Sequence, residues 1–111
     1  MSTPATLDRT LLALADPTRR AILQRLSSGE ARVTDVARPF SMSLNAVSKH
    51  ILVLERAKLV KRRKVGRDHY LSYEPEPLDA AVKWIDGTRT FRATRLDALE
   101  QLLRDKDAAE P

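Results

Sequence analysis

Residues 41–57 constrain the fold more than any other part of the chain, and they read SMSLNAVSKHILVLERA. Apolar side chains recur three and four positions apart, as on one face of a helix (Leu44, Val47, Ile51 and Leu54). Ser43 precedes this stripe and is a good N-cap, because its hydroxyl accepts a hydrogen bond from a first-turn N–H. The stretch therefore predicts an amphipathic helix that packs its apolar stripe against a core.

A separate polar face occupies the first two turns of this helix. Asn45, Ser48 and Lys49 lie together there, three and four residues apart. Such hydrogen-bonding groups at a helix N-terminus suit insertion into the major groove of DNA, where base edges are read. The alternative is an ordinary helix with a solvated polar side, and this stretch alone does not decide between the two.

Positive charge is concentrated in this helix and in the segment after it. The chain has a net charge of +5, but residues 49–69 hold eight Lys and Arg against two acidic residues. That segment is therefore +6 and the remainder of the chain is −1. A generic surface mixes its signs, whereas a site for a polyanion concentrates one sign. The distribution favours nucleic acid as the partner.

A short helix is expected just before the amphipathic helix. Residues 35–38 follow Thr34, which is a suitable N-cap, and Pro39 limits the helix because it lacks an N–H. With the turn at 40–42, these elements predict a helix-turn-helix over about residues 34–57.

A β-hairpin is expected after the amphipathic helix, over about residues 59–73. Its two strands flank Gly66-Arg67, and Gly66 supplies the positive φ of a type II′ turn. This turn pairs Val60 with Tyr73, Arg62 with Leu71 and Lys64 with His69, and it puts Lys61, Arg63 and Tyr70 on the other face. A basic hairpin in this position is the wing of a winged helix, and the alternative is a solvated turn that happens to be basic.

Two arginines lie at the start of another predicted helix. Asp16 is its N-cap and Pro17 its first residue, which places Arg19 and Arg20 in the first turn. They are interpreted either as phosphate contacts or as partners in intramolecular ion pairs.

The two ends of the chain predict dimerisation helices. A short helix at 7–15 is crowded with leucine, and a helix at about 77–104 would span about 40 Å. A domain this small cannot bury so long a stripe, so a homodimer is expected, with a polar tail at 105–111. Trp84 and Phe91 also allow a second interpretation as part of an effector pocket. The expected interface residues are Leu7, Leu11, Leu78, Val82, Trp84, Ile85, Phe91 and Leu99.

Several classes of protein are disfavoured by what the sequence lacks. It has no cysteine and two histidines, no Gly-rich phosphate loop and no serine in a nucleophile setting, so neither an enzyme nor a thiolate metal site is expected. No apolar run approaches the length of a membrane span, and the N-terminus is unlike a signal peptide. The expectation is one cytoplasmic domain, residues 1–111, without metal or cofactor.

The motifs resemble the ArsR-type bacterial transcription repressors, which are winged-helix homodimers. The resemblance lies in LALADPTRRAILQRL, in MSLNAVSKHILVLERAKLVKRRKVGRDHYLSY, and in RLDALEQLL near the C-terminus, which is similar to a branch without a metal site. It implies that Ser48, Lys49 and His50 contact DNA. Two departures are Asn45, where that branch often has proline, and Lys58, where the family usually has glycine at the helix end.

The metal-sensing members of that family carry a Cys-x-Cys pair in the first helix of the helix-turn-helix, or Asp and His ligands in the last helix. Here the first position reads TDVAR and the last helix contains no histidine. Metal sensing is therefore not expected.

The expected function is a sequence-specific regulator, a repressor that binds a pseudo-palindromic DNA operator as a homodimer. The alternatives are an architectural DNA-binding protein without sequence choice and a winged-helix protein-interaction module. A small-molecule or protein effector is left open. Leu44 is interpreted either as core or as a base contact, and His50 either as a phosphate contact or as a packed histidine. The expected base-reading residues are Leu44, Asn45, Ser48 and Lys49, and the expected DNA-backbone contacts are Ser43, His50, Arg62, Arg63, Lys64 and Arg67.

Overall fold

The computed structural model describes the backbone of residues 4–109 and the side chains of residues 5–89 and 94–106. This part of the chain is mainly helical with a small antiparallel sheet, as predicted. Its elements in chain order are α1 Pro4–Leu14, α2 Pro17–Leu26, β1 Ala31–Arg32, α3 Val33–Ala37, α4 Leu44–Arg56, β2 Val60–Val65, β3 Asp68–Tyr73 and α5 Glu76–Ala109.

The α4 helix is built as its sequence pattern predicts. The Ser43 hydroxyl accepts a hydrogen bond of 3.1 Å from the N–H of Ala46 and so caps the first turn. Val47, Ile51 and Leu54 are fully buried, and they share the core with side chains from α2, α3 and the sheet. Leu44 is 52% exposed, so it lies outside the core and the core interpretation of this residue is wrong.

The three strands form one sheet in the order β1-β3-β2. The predicted hairpin register is confirmed, with Val60 opposite Tyr73, Arg62 opposite Leu71 and Lys64 opposite His69. Gly66 has a φ of +62°, which the first central residue of a type II′ turn requires. The two-residue β1 pairs with β3 on its other side and so completes the sheet.

The end of α4 answers the question that Lys58 raised. Lys58 has a φ of +63°, the left-handed conformation that favours glycine, which the family that the sequence resembles usually has at this position. Its N–H donates to the carbonyl of Glu55, and the N–H of Leu59 donates to the carbonyl of Leu54, both at 3.0 Å. This is the Schellman arrangement, and the accompanying apolar contact is provided by Leu54 and Leu59, which are both fully buried.

The start of α3 differs from the prediction. The helix begins at Val33 directly after β1, and its N-cap is Arg32 rather than Thr34, without a side-chain hydrogen bond. The reason is that Ala31 and Arg32 pair with β3. The strand therefore ends at Arg32, and the helix begins at the next residue. Asp35, in the first turn, pairs with the flanking Arg32 and Arg38 instead of capping the helix.

The helices at the two ends are longer than predicted. The first begins at Pro4, three residues before the expected start, and ends at Leu14. The last continues to Ala109, so the expected polar tail is helical as far as that residue. One pair four residues apart reaches into this extension, since Gln101 donates to Asp105 at 3.2 Å.

The chain divides into two compact units, Met1–Ala81 and Val82–Pro111. The first unit contains the helix-turn-helix, the sheet and the first turns of α5. Within it Leu78 packs against the core, so part of this side chain is buried within its own chain and is not available to the expected dimer interface. The second unit consists of the rest of α5.

Replacing Lys58 by glycine should stabilise the protein by about 0.5–1 kcal/mol in its free energy of unfolding. The left-handed conformation costs a residue with a Cβ roughly 1–2 kcal/mol, and the greater freedom of glycine in the unfolded chain offsets part of the gain. Urea denaturation measures the difference. Lys58→Ala is the matched control, because it removes the same charge but keeps the Cβ. An equal gain in both variants would show that charge repulsion, and not the backbone, is the cause.

Candidate nucleic-acid interface

The first turns of α4 present a polar face to solvent. Asn45 and Lys49 are exposed and Ser48 is half-buried. Leu44, also exposed, begins the helix next to Asn45, so the four base-reading candidates lie together at one end of one helix. Because the buried stripe of α4 fixes its rotation, Asn45 and Lys49 are held on the side away from the core, whereas Leu44 is exposed because it stands at the helix end.

Ser43 keeps a donor despite its role as the cap. Its oxygen accepts the hydrogen bond from the N–H of Ala46, which leaves the hydroxyl proton available. A phosphate oxygen beside the start of α4 would accept that proton, and the helix N-terminus favours an anion there.

His50 is packed beside the start of α2. Its Nδ1 atom lies 3.3 Å from Nη1 of Arg19 and 3.8 Å from a carboxylate oxygen of Asp16. The His50 side chain is still 24% exposed. Asp16 caps α2 by accepting a 3.0 Å hydrogen bond from the N–H of Arg19, and this bond lowers the pKa of its carboxyl.

Arg19 and Arg20 bind backbone carbonyls at the end of α1, a role that neither sequence interpretation included. Arg19 donates to the carbonyls of Leu12 at 3.0 Å and Ala13 at 2.7 Å, and Arg20 donates to the carbonyl of Leu14 at 2.7 Å. Both side chains therefore bind carbonyls at the end of α1, where the last four carbonyls lack i+4 partners within the helix; that of Leu12 also accepts from the N–H of Ala15 at 3.1 Å. A cation at a helix C-terminus also complements the helix dipole.

Arg62 ties the wing to α4. It forms a 2.7 Å ion pair with Glu55 in the last turn of that helix, and its Nη1 lies 3.1 Å from Nδ1 of His69 on the neighbouring strand. Arg62 and Glu55 are both partly shielded, with 31% and 23% of their side chains exposed. The structure thus brings Arg62 to an acidic partner at the base of the wing.

Arg63 is held on the opposite face of the hairpin. It pairs with Glu30 at 2.6 Å, and its guanidinium lies 4.9 Å from the centre of the Tyr70 ring, where a cation–π contact forms. The hydrogen bond from Arg63 lowers the pKa of the Glu30 carboxyl, so this carboxyl stays charged to lower pH than an ordinary glutamate.

The cations at the tip of the wing differ from Arg62 and Arg63 in their pairing. Lys64 and Arg67 are exposed, and neither makes an ion pair with any residue that the structure describes. The same is true of Lys49 on α4. These three charges are directly available to an anionic partner.

A cavity of about 250 Å³ lies in the first unit, and none of its lining residues belongs to α4. Trp84 is not among its lining residues, and the side chain of Phe91 lies outside the described residues, so the effector pocket considered for this pair does not coincide with it. Burial, and next the charge of Asp79, raise the pKa of the Tyr73 phenol on its wall. Its lining residues are Leu14, Arg20, Leu23, Gln24, Ser27, Tyr73 and Leu78.

Large apolar side chains are exposed on α1 and on α5. Leu11 and Leu12 are exposed on α1, whereas Leu7 is half-buried. Of the expected interface residues on α5, Val82, Trp84, Ile85 and Leu99 are exposed. Further exposed apolar residues lie outside the expected interface set, namely Leu12 on α1 and Leu96, Leu102 and Leu103 on α5.

Sequence reasoning missed the acidic partners of the site. Glu30 and Arg63 are 33 residues apart, and nothing local indicates that β1 pairs with β3 and brings them together. The contact between Arg63 and Tyr70 was within reach, because the predicted register already placed these two residues directly opposite each other.

A capped helix with an exposed polar start, a short helix before it and a basic hairpin after it define a winged helix-turn-helix DNA-binding protein. Residues 14–63 match a family model described as a helix-turn-helix domain.

Named relatives agree with this class. The HTH-type transcriptional regulator Rv2034 of Mycobacterium tuberculosis is 44% identical over 80 residues, which cover 72% of this chain and 75% of that protein. The transcriptional repressor SdpR of Bacillus subtilis is 32% identical over 73 residues, which cover 66% of this chain and 81% of that protein.

Solved structures give the same answer. A crystal structure of an ArsR family transcriptional regulator is 39% identical with a TM-score of 0.79, and the match covers 83% of this chain and 95% of the other. The homodimeric winged helix-turn-helix domain of Mb0332 from Mycobacterium bovis is 30% identical with a TM-score of 0.61, covering 88% and 82%. The chain belongs to the ArsR family of transcriptional regulators, and it is a DNA-binding regulator rather than an enzyme.

None of the helices in the described part of the chain is both long enough and apolar enough to cross a membrane.

The wing cations should differ in their contribution to the salt dependence of DNA binding. Lys64→Ala should reduce the slope of log K against log salt by about one unit, because an available cation is lost. Arg63→Ala should reduce it by less, because Glu30 already neutralises Arg63. Fluorescence anisotropy with labelled duplex DNA over a salt series measures both slopes. An equal loss in the two variants would mean that Arg63 leaves Glu30 when DNA binds.

Proposed function

We propose that this protein is a homodimeric repressor that inserts α4 of each protomer into the major groove of a pseudo-palindromic operator. The observation that carries the proposal is the polar N-terminal end of α4, exposed on a helix whose opposite stripe is fully buried. The relative named as a repressor and the homodimeric neighbour support the regulatory role and the assembly. Residues 1–111 act as a single DNA-binding unit, located with the DNA in the cytoplasm.

The base-reading roles follow from the chemistry of the exposed end of α4. Lys49 is suited to the O6 and N7 acceptors of guanine, and Asn45 to the N6 and N7 of adenine. Leu44, exposed at the first turn, is suited to a thymine methyl group. Ser48 donates or accepts at either kind of base.

The backbone roles divide by how free each group is. Lys64 and Arg67 are assigned direct phosphate contacts, since no described carboxylate pairs with them. Ser43 donates its hydroxyl proton to a phosphate beside the helix N-terminus. Arg62 and Arg63 are assigned weaker backbone contacts, because each keeps its acidic partner.

The decisive experiment is selection of bound duplexes from random DNA at two salt concentrations. A regulator should yield a palindromic consensus, with half-sites one helical turn apart or a multiple of it. An architectural protein would bind without a consensus and lose its affinity uniformly as salt rises. A protein-interaction module would retain no DNA at either salt concentration.

Lys49→Ala should relax the preference at one base pair of each half-site, at a cost of roughly 1–3 kcal/mol in binding free energy. Repeating the selection with the variant shows the relaxed position, and titration of the wild-type consensus gives the cost. Lys64→Ala is the matched control, because it removes the same charge from the wing and should weaken all sequences alike. A uniform loss with Lys49→Ala would remove this residue from the base-reading set.

The homodimer is proposed to form through the exposed apolar residues of α1 and α5. On α5 a spacing of three and four residues, as in a helix-pairing stripe, separates Val82 from Ile85 and, further along, links Leu96, Leu99, Leu102 and Leu103. The partner is a second copy of this chain, since pseudo-palindromic operators are read by proteins with two-fold symmetry.

Ile85→Glu should shift the protein towards monomer in sedimentation velocity. Ile85 is 43% exposed in the single chain, so the change should leave its fold intact while placing a charge in an apolar interface. Two-fold symmetry introduces the charge twice, and dissociation should become at least about a hundredfold more favourable. Lys83→Glu, an exposed polar position on the same helix, is the control. A stable Ile85→Glu dimer would rule out this face as the interface.

For a small-molecule effector, the cavity beside α2 and the start of α5 is the proposed site. Its floor is apolar, from Leu14, Leu23 and Leu78, and Arg20 and Gln24 add polar groups. It therefore suits a small amphipathic molecule.

A further inference from the structure

Both histidines of this chain face an arginine through the same ring nitrogen. Nδ1 of His50 lies 3.3 Å from Nη1 of Arg19, and Nδ1 of His69 lies 3.1 Å from Nη1 of Arg62. A guanidinium has five N–H donors and no acceptor, so in each pair the ring nitrogen must be the acceptor. A neutral ring that accepts at Nδ1 carries its proton on Nε2.

Asp16 is the rival partner for His50, because a carboxylate would demand the proton on Nδ1. Its nearer oxygen is 3.8 Å from Nδ1, which is too long for a hydrogen bond. The same oxygen already accepts the 3.0 Å hydrogen bond from the N–H of Arg19. The distances therefore favour the bond from Arg19.

Arg19 is itself held in place from the end of α1. Its Nε donates to the carbonyl of Ala13 at 2.7 Å and its Nη2 to the carbonyl of Leu12 at 3.0 Å. With these two bonds made, Nη1 is directed at His50, and the planar guanidinium cannot turn away without losing them. The last turn of α1, the start of α2 and the middle of α4 are thus joined by one side chain.

We infer that Arg19 is a positioning residue for DNA binding, which holds the His50 ring with its proton on Nε2 and so makes His50 a hydrogen-bond donor to a DNA phosphate. This rests on the proposed placement of α4 in the major groove. A phosphate oxygen only accepts hydrogen bonds, so the other tautomer, with Nε2 bare, would repel it. A ring that accepts at Nδ1 and donates from Nε2 carries no net charge, so a contact of this kind adds affinity without adding to the salt dependence.

The first test reads the tautomer directly in the free protein. Long-range proton–nitrogen NMR correlation at about pH 9, where an ordinary histidine side chain is neutral, distinguishes the two ring nitrogens. Both rings should show the proton on Nε2. In Arg19→Lys, which keeps the charge but loses the planar fork, His50 should become a mixture of tautomers, while His69 stays unchanged as the internal control. A wild-type His50 with its proton on Nδ1 would overturn the inference, and so would a His50 signal unaffected by Arg19→Lys.

The second test asks whether Arg19 acts through His50. The probe is a pool of random duplexes of about 30 base pairs, because a phosphate contact does not depend on sequence. Arg19→Lys and His50→Phe should each weaken binding about threefold to tenfold per protomer, as expected for one lost hydrogen bond, with an unchanged salt slope. His50→Gln, whose amide can donate near the Nε2 position, should bind nearly as the wild type does.

The double variant Arg19→Lys/His50→Phe should bind no more weakly than His50→Phe alone. Additive losses would show that Arg19 serves DNA binding by another route and would overturn the inference. Neither test needs an operator. A selection that yields no consensus would contradict the proposed function, whereas the inference about Arg19 and His50 would still be decided by the tautomer measurement.

Discussion

The burial of one stripe of α4 is the constraint on which the rest of the molecule depends. Val47, Ile51 and Leu54 are completely removed from solvent. Burial of each side chain should stabilise the fold by about 1.5–3 kcal/mol. That burial fixes how α4 is rotated about its axis, and the rotation decides which residues remain outside. The polar face at its N-terminal end is therefore positioned by core packing, and no separate element is needed to present it.

A set of polar contacts then connects the elements around α4. Arg62 joins the wing to its last turn through Glu55, and Arg19 joins its middle to the end of α1 through His50. A surface ion pair contributes little to stability on average, so the importance of these contacts lies in positioning. The cations at the wing tip have no ion-pair partner among the described residues. The same surface thus carries arginines fixed by other residues beside cations that are available to an anion.

How far the sequence could predict this structure depended on the range of each interaction. The hairpin register followed from Gly66, because a two-residue turn sets all the cross-strand pairs after it. The cap at Ser43 and the buried stripe were equally local. The start of α3 was misplaced because Arg32 is committed to a strand whose partner comes almost forty residues later. The Glu30–Arg63 pair and the Arg19 contacts with α1 also needed the tertiary fold, and no pattern within a single element indicates them.

The link between Arg62 and Glu55 has a geometric consequence for DNA. In the proposed complex, α4 lies in the major groove and the wing lies on the neighbouring backbone or minor groove. The ion pair would then hold these two elements at a set separation. Groove width varies with base sequence, and A-tracts in particular narrow the minor groove. A duplex whose grooves do not match that span must be deformed, or the pair must break. Base pairs that no side chain touches would then still influence which sites are occupied.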